Sequence, residues 1–141
     1  MDFDILLHDS YLQGKLLHEI FACMFCVPYL WYLYVLFSKK TYLYINQKIY
    51  FIAPITFFLL GVALATGIFL CAMRSFIFDF RIILMIFVFI AFFGGEIYRI
   101  ISLKKAKTSK EGMQKYVRFC KILYSCFLVS YVLLIFFLKV F

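Results

Sequence analysis

An all-α integral membrane protein, a four-transmembrane-helix bundle, is the fold class this sequence predicts, and three observations carry it. Of 141 residues, 67% are hydrophobic and only 16% are charged, with a mean hydropathy of +1.00. A soluble domain of this length has too much surface to carry that composition, whereas lipid favours it. The charges are gathered into short clusters separated by long apolar runs. Those runs are continuous rather than alternating, and each has about the 20 residues needed to cross a hydrocarbon core of roughly 30 Å, so they read as helices and not barrel strands.

The first span is predicted over residues 16–37 and is ended by Ser38, Lys39 and Lys40. Asp2, Asp4 and Asp9 precede it, without the basic n-region and small-residue cleavage site of a signal peptide, so this run is expected to be retained as a helix. A polar link containing Asn46, Gln47 and Lys48 leads to a second span over residues 50–73, which carries Gly61, Thr66 and Gly67. Residues 74–79 make a very short turn, and the third span covers residues 80–103. A basic stretch over residues 104–115 precedes the fourth span, residues 119–138. The whole chain, residues 1–141, reads as one transmembrane domain.

Orientation follows from lysine and arginine in the short loops. Lys39, Lys40 and Lys48 follow span one, and Lys104, Lys105, Lys107, Lys110 and Lys115 follow span three. The opposite side has only Lys15, Arg74, Arg81 and Lys139, diluted by the aspartates. The basic links are therefore expected in the cytoplasm and both termini outside, in the periplasm of a Gram-negative cell, with the protein multi-pass in the inner membrane. The net charge of +8 does not argue for nucleic acid, because the basic residues sit where they anchor apolar helices. The lipid bilayer is the expected partner. Cys23, Cys26, Cys71, Cys120 and Cys126 lie in or beside apolar runs and are odd in number, unlike a secreted disulfide framework.

An ionisable group in a membrane helix costs several kcal/mol, of order 2.5–3.5, unless it is paired or snorkels, so each one asks for a reason. His18 and Glu19 open span one, Thr66 and Gly67 lie toward the same side in span two, and Arg81 opens span three, so the four-span order brings His18, Thr66, Gly67 and Arg81 to one depth. His18 is either an interfacial histidine or a haem ligand or proton carrier, since neutral imidazole is the usual axial ligand of b-type haem. Arg81 is a snorkelling anchor, or the partner of a propionate-like anion. Glu96 and Arg99, at i and i+3, share a helix face and either neutralise one another or mark a proton path; Gly94 and Gly95 beside them allow close packing or a kink. Cys23 and Cys26, with Met24, are a thin candidate site for Cu(I). The 20 Phe and 11 Tyr, with a cluster at Tyr29, Trp31, Tyr32 and Tyr34, read as lipid-facing bulk and interfacial belt.

The order of these features resembles a family. Lys15-x-x-His18, followed by an apolar run into the aromatic, Leu-rich stretch over residues 29–37, is similar to the first helix of the HemJ-type protoporphyrinogen oxidases. Leu64-Ala65-Thr66-Gly67 resembles the glycine-bearing stretch of that family's second helix, and Phe80-Arg81 the start of its third, where a lysine normally stands. The ending, Phe137-Leu138-Lys139-Val140-Phe141, is similar too. The CopD-type membrane domain has a related layout and fewer matching residues. The resemblance implies a small four-helix membrane protein binding haem b, which removes six electrons from a porphyrin substrate, protoporphyrinogen IX, and passes them to a respiratory-chain acceptor. It implies His18 as metal ligand and, with Arg81 in the place of the family's lysine, as catalytic residue, and Thr66, Gly67 and Arg81 around the cofactor. The chain departs from the pattern in the third helix, where Phe92, Phe93 and Glu96 occupy the neighbourhood of the family's histidine, and at the start of the fourth, which lacks the family's Asn-Glu-x-Pro element. His8, the other histidine, precedes the expected bundle, leaving Met24, Met73 or Met85 as the alternative second ligand. A non-catalytic subunit or assembly factor of a larger membrane complex is the alternative function, and homo-oligomers fit either reading.

Overall fold

A computed structural model describes residues 2–140. Five helices follow one another: α1 (Asp2–Met24), α2 (Cys26–Phe37), α3 (Tyr42–Met73), α4 (Phe80–Ala106) and α5 (Lys110–Val140). The division of α1 from α2 has a covalent cause. Pro28 has no N–H to give the carbonyl of Met24, so the helical ladder is interrupted at Phe25. Phe25 itself stays right-handed helical (φ −63°, ψ −24°), and α1 and α2 together form one apolar segment, Ile5–Phe37. With α3, α4 and α5, this gives four helical segments long and apolar enough to cross a membrane. The chain is a multi-pass membrane protein.

The helices begin earlier than the apolar runs do. Asn46, Gln47 and Lys48, expected in a link, lie in the first turns of α3, and Lys110 and Lys115 lie in α5. The residues before Leu16 are helical from Asp2 onward. Polar residues of good helix propensity continue a helix beyond the lipid, and local caps, not hydropathy, set where it starts. Thr41 caps α3 by accepting from the Tyr44 N–H at 3.4 Å, and Ser109 Oγ accepts from the Gly112 N–H at 3.0 Å. Asp79 caps α4 by accepting from the Phe80 N–H at 2.8 Å. The end of α3 is a Schellman closure: the Phe76 N–H returns to the Cys71 carbonyl at 2.9 Å and that of Ser75 to Ala72 at 3.0 Å. Ser75 and Phe76 take positive φ there (55° and 54°), a place glycine usually fills.

Packing runs α4–α5–α2–α3, with α1 laid along α3. α3 and α4 meet at isolated points such as the edge-to-face rings of Phe57 and Phe93, 6.2 Å apart. The successive spans are antiparallel, so the α2–α3 and α4–α5 links share one end of the bundle, where the α2–α3 link lines a cavity with residues of α2, α3 and the first half of α5. The core is aromatic: Phe25, Tyr29, Phe92, Phe127 and Tyr131 touch ring to ring, and Tyr32 stacks on Tyr124 at 4.4 Å. This corrects the reading of the tyrosine cluster. Tyr29 and Tyr32 are 1% and 0% exposed and belong to the core, while Trp31 and Tyr34 on the other face of α2 are the outward pair. Outward large apolar side chains occur on every helix, as a lipid-facing surface requires.

Candidate functional site

Two polar groups lie within the apolar spans, at different depths. The first is built where α1 crosses α3. Gly14 leaves the space that the Phe69 ring fills, and one turn further along His18 meets Thr66 and Gly67. His18 Nδ1 lies 2.7 Å from Thr66 Oγ1. The hydroxyl has one hydrogen, and Thr66 Oγ1 donates it back along its own helix to the Val62 carbonyl at 2.8 Å. In that arrangement the hydroxyl accepts toward His18 and Nδ1 carries the hydrogen. In the neutral ring this leaves the lone pair on Nε2, the nitrogen that no protein group engages among the described residues. His18 is half-buried, and a Cβ on Gly67 would meet only the His18 Cε1 atom, 3.9 Å away. Glycine at this position keeps the side of the imidazole open. One ring nitrogen of His18 is thus held in place by a second group on α3.

Arg81 is not brought to that group. It is exposed at the start of α4, whose main packing partner is α5. Its depth does correspond: the Phe80 ring meets Phe137 on α5, and Tyr131, about two turns below, donates to the Ala22 carbonyl of α1. Arg81 thus shares the level of His18 across the bundle without touching it. None of the candidate second ligands is placed at His18 either. Met73 is seven residues beyond Thr66 on α3, about 10 Å along the axis, and Met24 is six beyond His18 on α1, about 9 Å. Met85 is on α4. His8, expected outside the bundle, is exposed on α1, which continues past the end of the apolar run and sets it near Tyr11, Met73 and Arg74.

The second group lies nearer the basic links. Glu96 and Arg99 are buried at 0% and 3% exposure, and Arg99 Nε donates to Glu96 Oε2 at 2.9 Å. The Tyr124 hydroxyl donates to the same oxygen at 3.3 Å. Tyr32, stacked on Tyr124, has its hydroxyl 3.1 Å from Thr56 Oγ1, and Tyr116 sits beside the guanidinium. Among the described residues Glu96 Oε1 has no hydrogen-bond partner, so the carboxylate keeps unused acceptor capacity. Gly95 explains how α4 and α5 come close enough here: a Cβ on it would overlap the Phe127 ring. Gly94 faces open space and α4 runs unbroken, so Gly95 serves packing and the pair makes no kink.

Thr56, Tyr116 and Tyr124 were not singled out by sequence reading, and Tyr32 was read only as part of an outward aromatic cluster. A signal was present: Tyr116, Cys120, Tyr124 and Tyr131 recur at i, i+4, i+8 and i+15, one face of α5, and all are buried. Cys23 is exposed and Cys26 half-buried, and among the described residues no three His, Cys, Asp or Glu side chains gather as a metal-binding group. No protein-family model, no curated protein and no solved structure matches this chain.

Proposed function

We propose that the chain is a HemJ-like membrane oxidoreductase that binds haem b or a related porphyrin at His18, with the oxidation of protoporphyrinogen IX to protoporphyrin IX as its reaction. One observation carries the reading: Thr66 Oγ1 holds His18 Nδ1 at 2.7 Å, while no protein group engages Nε2 among the described residues. A bound haem would supply electron transfer. His18 would ligate it, Thr66 would hold the ring, Gly67 would admit a flat group beside the imidazole, and Arg81, at the same level, would attract a porphyrin carboxylate as it entered from the lipid. Glu96 and Tyr124 offer a place to hold a proton between that level and the basic end. The orientation that fits the lysines places the basic links in the cytoplasm and His18 toward the outer face of the inner membrane. A reporter that fluoresces only in the cytoplasm, fused after residue 141, should stay dark, whereas one inserted in the α4–α5 link should be bright; the reverse pattern overturns the orientation.

Purified protein should show a Soret band that His18→Ala abolishes while the variant still migrates as a folded species. Colourless protein that takes up no added haem rejects the proposal. Growth of a strain lacking protoporphyrinogen oxidase, restored by this chain and not by His18→Ala, tests the reaction separately. The second reading, a non-catalytic accessory subunit or assembly factor of a larger membrane complex, is favoured by one observation: the described packing brings no second axial ligand to His18. It expects co-purification with a membrane complex that survives His18→Ala.

A further inference from the structure

At the basic end of the bundle, remote from His18, a cavity of about 400 Å³ opens between the α2–α3 link and α5. Three cations line it, Lys40 from the link and Arg118 and Lys121 from α5, and no carboxylate does. Among the described residues none of the three forms an ion pair. The nearby acid on α5, Glu111, is taken by Lys115 at 2.9 Å on the exposed surface. Three like charges converging without a counter-charge repel one another, at a cost that an anion between them would reverse. Ser38, Tyr42 and Gln114 add neutral hydrogen-bonding groups to the rim. The floor is apolar, formed by Leu36, Ile45 and Val117 from three different helices. Lys121 is drawn over the Phe37 ring, its Nζ 4.8 Å from the centroid, at the level where lipid tails give way to headgroups. The first turn of α3, capped at Thr41, begins at the same rim and contributes Tyr42 and Ile45 to the lining.

We propose that this cavity is a binding site for the phosphate of an anionic phospholipid. The chemistry is recognition of a phosphate anion by two lysines and an arginine. The source is lipid rather than free phosphate because the cavity opens at the membrane boundary and its floor is apolar, a surface that an acyl chain covers and an inorganic ion does not. Its size lies within the range of about 300–1,000 Å³ usual for small-ligand sites. Basic pockets between transmembrane helices are the usual headgroup sites on the cytoplasmic side, and the proposal stands whether or not His18 binds haem.

The test is native mass spectrometry of the detergent-purified full chain, delipidated and then exposed to equal amounts of phosphatidylglycerol and phosphatidylcholine. The wild type should retain phosphatidylglycerol at least tenfold more than phosphatidylcholine. Lys40→Gln/Arg118→Gln/Lys121→Gln should abolish the preference, and Lys104→Gln/Lys105→Gln/Lys107→Gln, at the same end but outside the cavity, should keep it. Equal loss in both triple variants would reduce the effect to general surface charge and overturn the site. So would an unchanged preference in the cavity variant, or no preference in the wild type. Displacement of the lipid by millimolar inorganic phosphate would assign the pocket to free phosphate and overturn the lipid assignment. Arg118→Gln alone, at an exposed position, carries the test should the triple variant aggregate, with the preference falling at least threefold.

Discussion

Arg99→Met should destabilise the bundle by about 3–5 kcal/mol, the largest effect expected of any single substitution in the chain. The guanidinium is 3% exposed and its Nε is 2.9 Å from a carboxylate that is fully buried. Removing it leaves Glu96 with the Tyr124 hydroxyl at 3.3 Å as the remaining donor, inside a membrane helix where water cannot compensate. The pair should nonetheless contribute little compared with an apolar replacement, because both charges lost their hydration on folding. Glu96→Met/Arg99→Met should therefore recover most of what Arg99→Met loses. Reversible unfolding in mixed micelles, read by helical circular dichroism, measures all three proteins. A loss below about 1 kcal/mol in Arg99→Met would mean the ion pair is not formed in the folded bundle, since a pair exposed to water is worth only that much.

The four spans were legible because hydropathy over some 20 residues is a large, additive signal that packing cannot overrule. Helix ends were not. Asn46, Gln47 and Lys110 look like linker residues, yet nothing in them opposes helix, and the caps at Thr41 and Ser109 decide the boundary. The break at Phe25 traces to Pro28, a single residue whose effect a hydropathy profile does not register. The His18, Thr66 and Gly67 group was legible as a common depth, because antiparallel spans of known length fix height. Lateral neighbours depend on which helices pack together, and so Arg81 shares the height without the contact. Aromatic residues hid the second group. Tyr29 and Tyr32 are as acceptable in lipid as in a core, and only the 3.6-residue period separates them from Trp31 and Tyr34. Glu96 and Arg99 were visible as a pair at i and i+3, whereas Tyr124 reaches Glu96 from 28 residues away, a contact that only the tertiary packing creates.

Under the proposed function, Thr66→Val should weaken haem binding by about 10–100-fold while leaving the fold intact, the range usual for losing the group that orients a ligating histidine. Valine has the shape of threonine and removes only the oxygen. The His18 Nδ1 then loses the acceptor 2.7 Å away, and the ring is free to rotate and to exchange its hydrogen between the two nitrogens. Thr66→Ser, which retains an oxygen able to bond both Val62 and His18, should restore most of the affinity. The comparison separates orientation from bulk, since valine keeps the volume and serine does not. Haem titration followed at the Soret band gives the affinity, and thermal unfolding of the haem-free proteins checks that all three fold alike. The two substitutions should also differ spectrally: the serine variant should keep the wild-type band position, and the valine variant should shift it as the ligand field at iron changes. Equal affinities in wild type and Thr66→Val would detach Thr66 from the ligand and leave His18 held by packing against α3 alone.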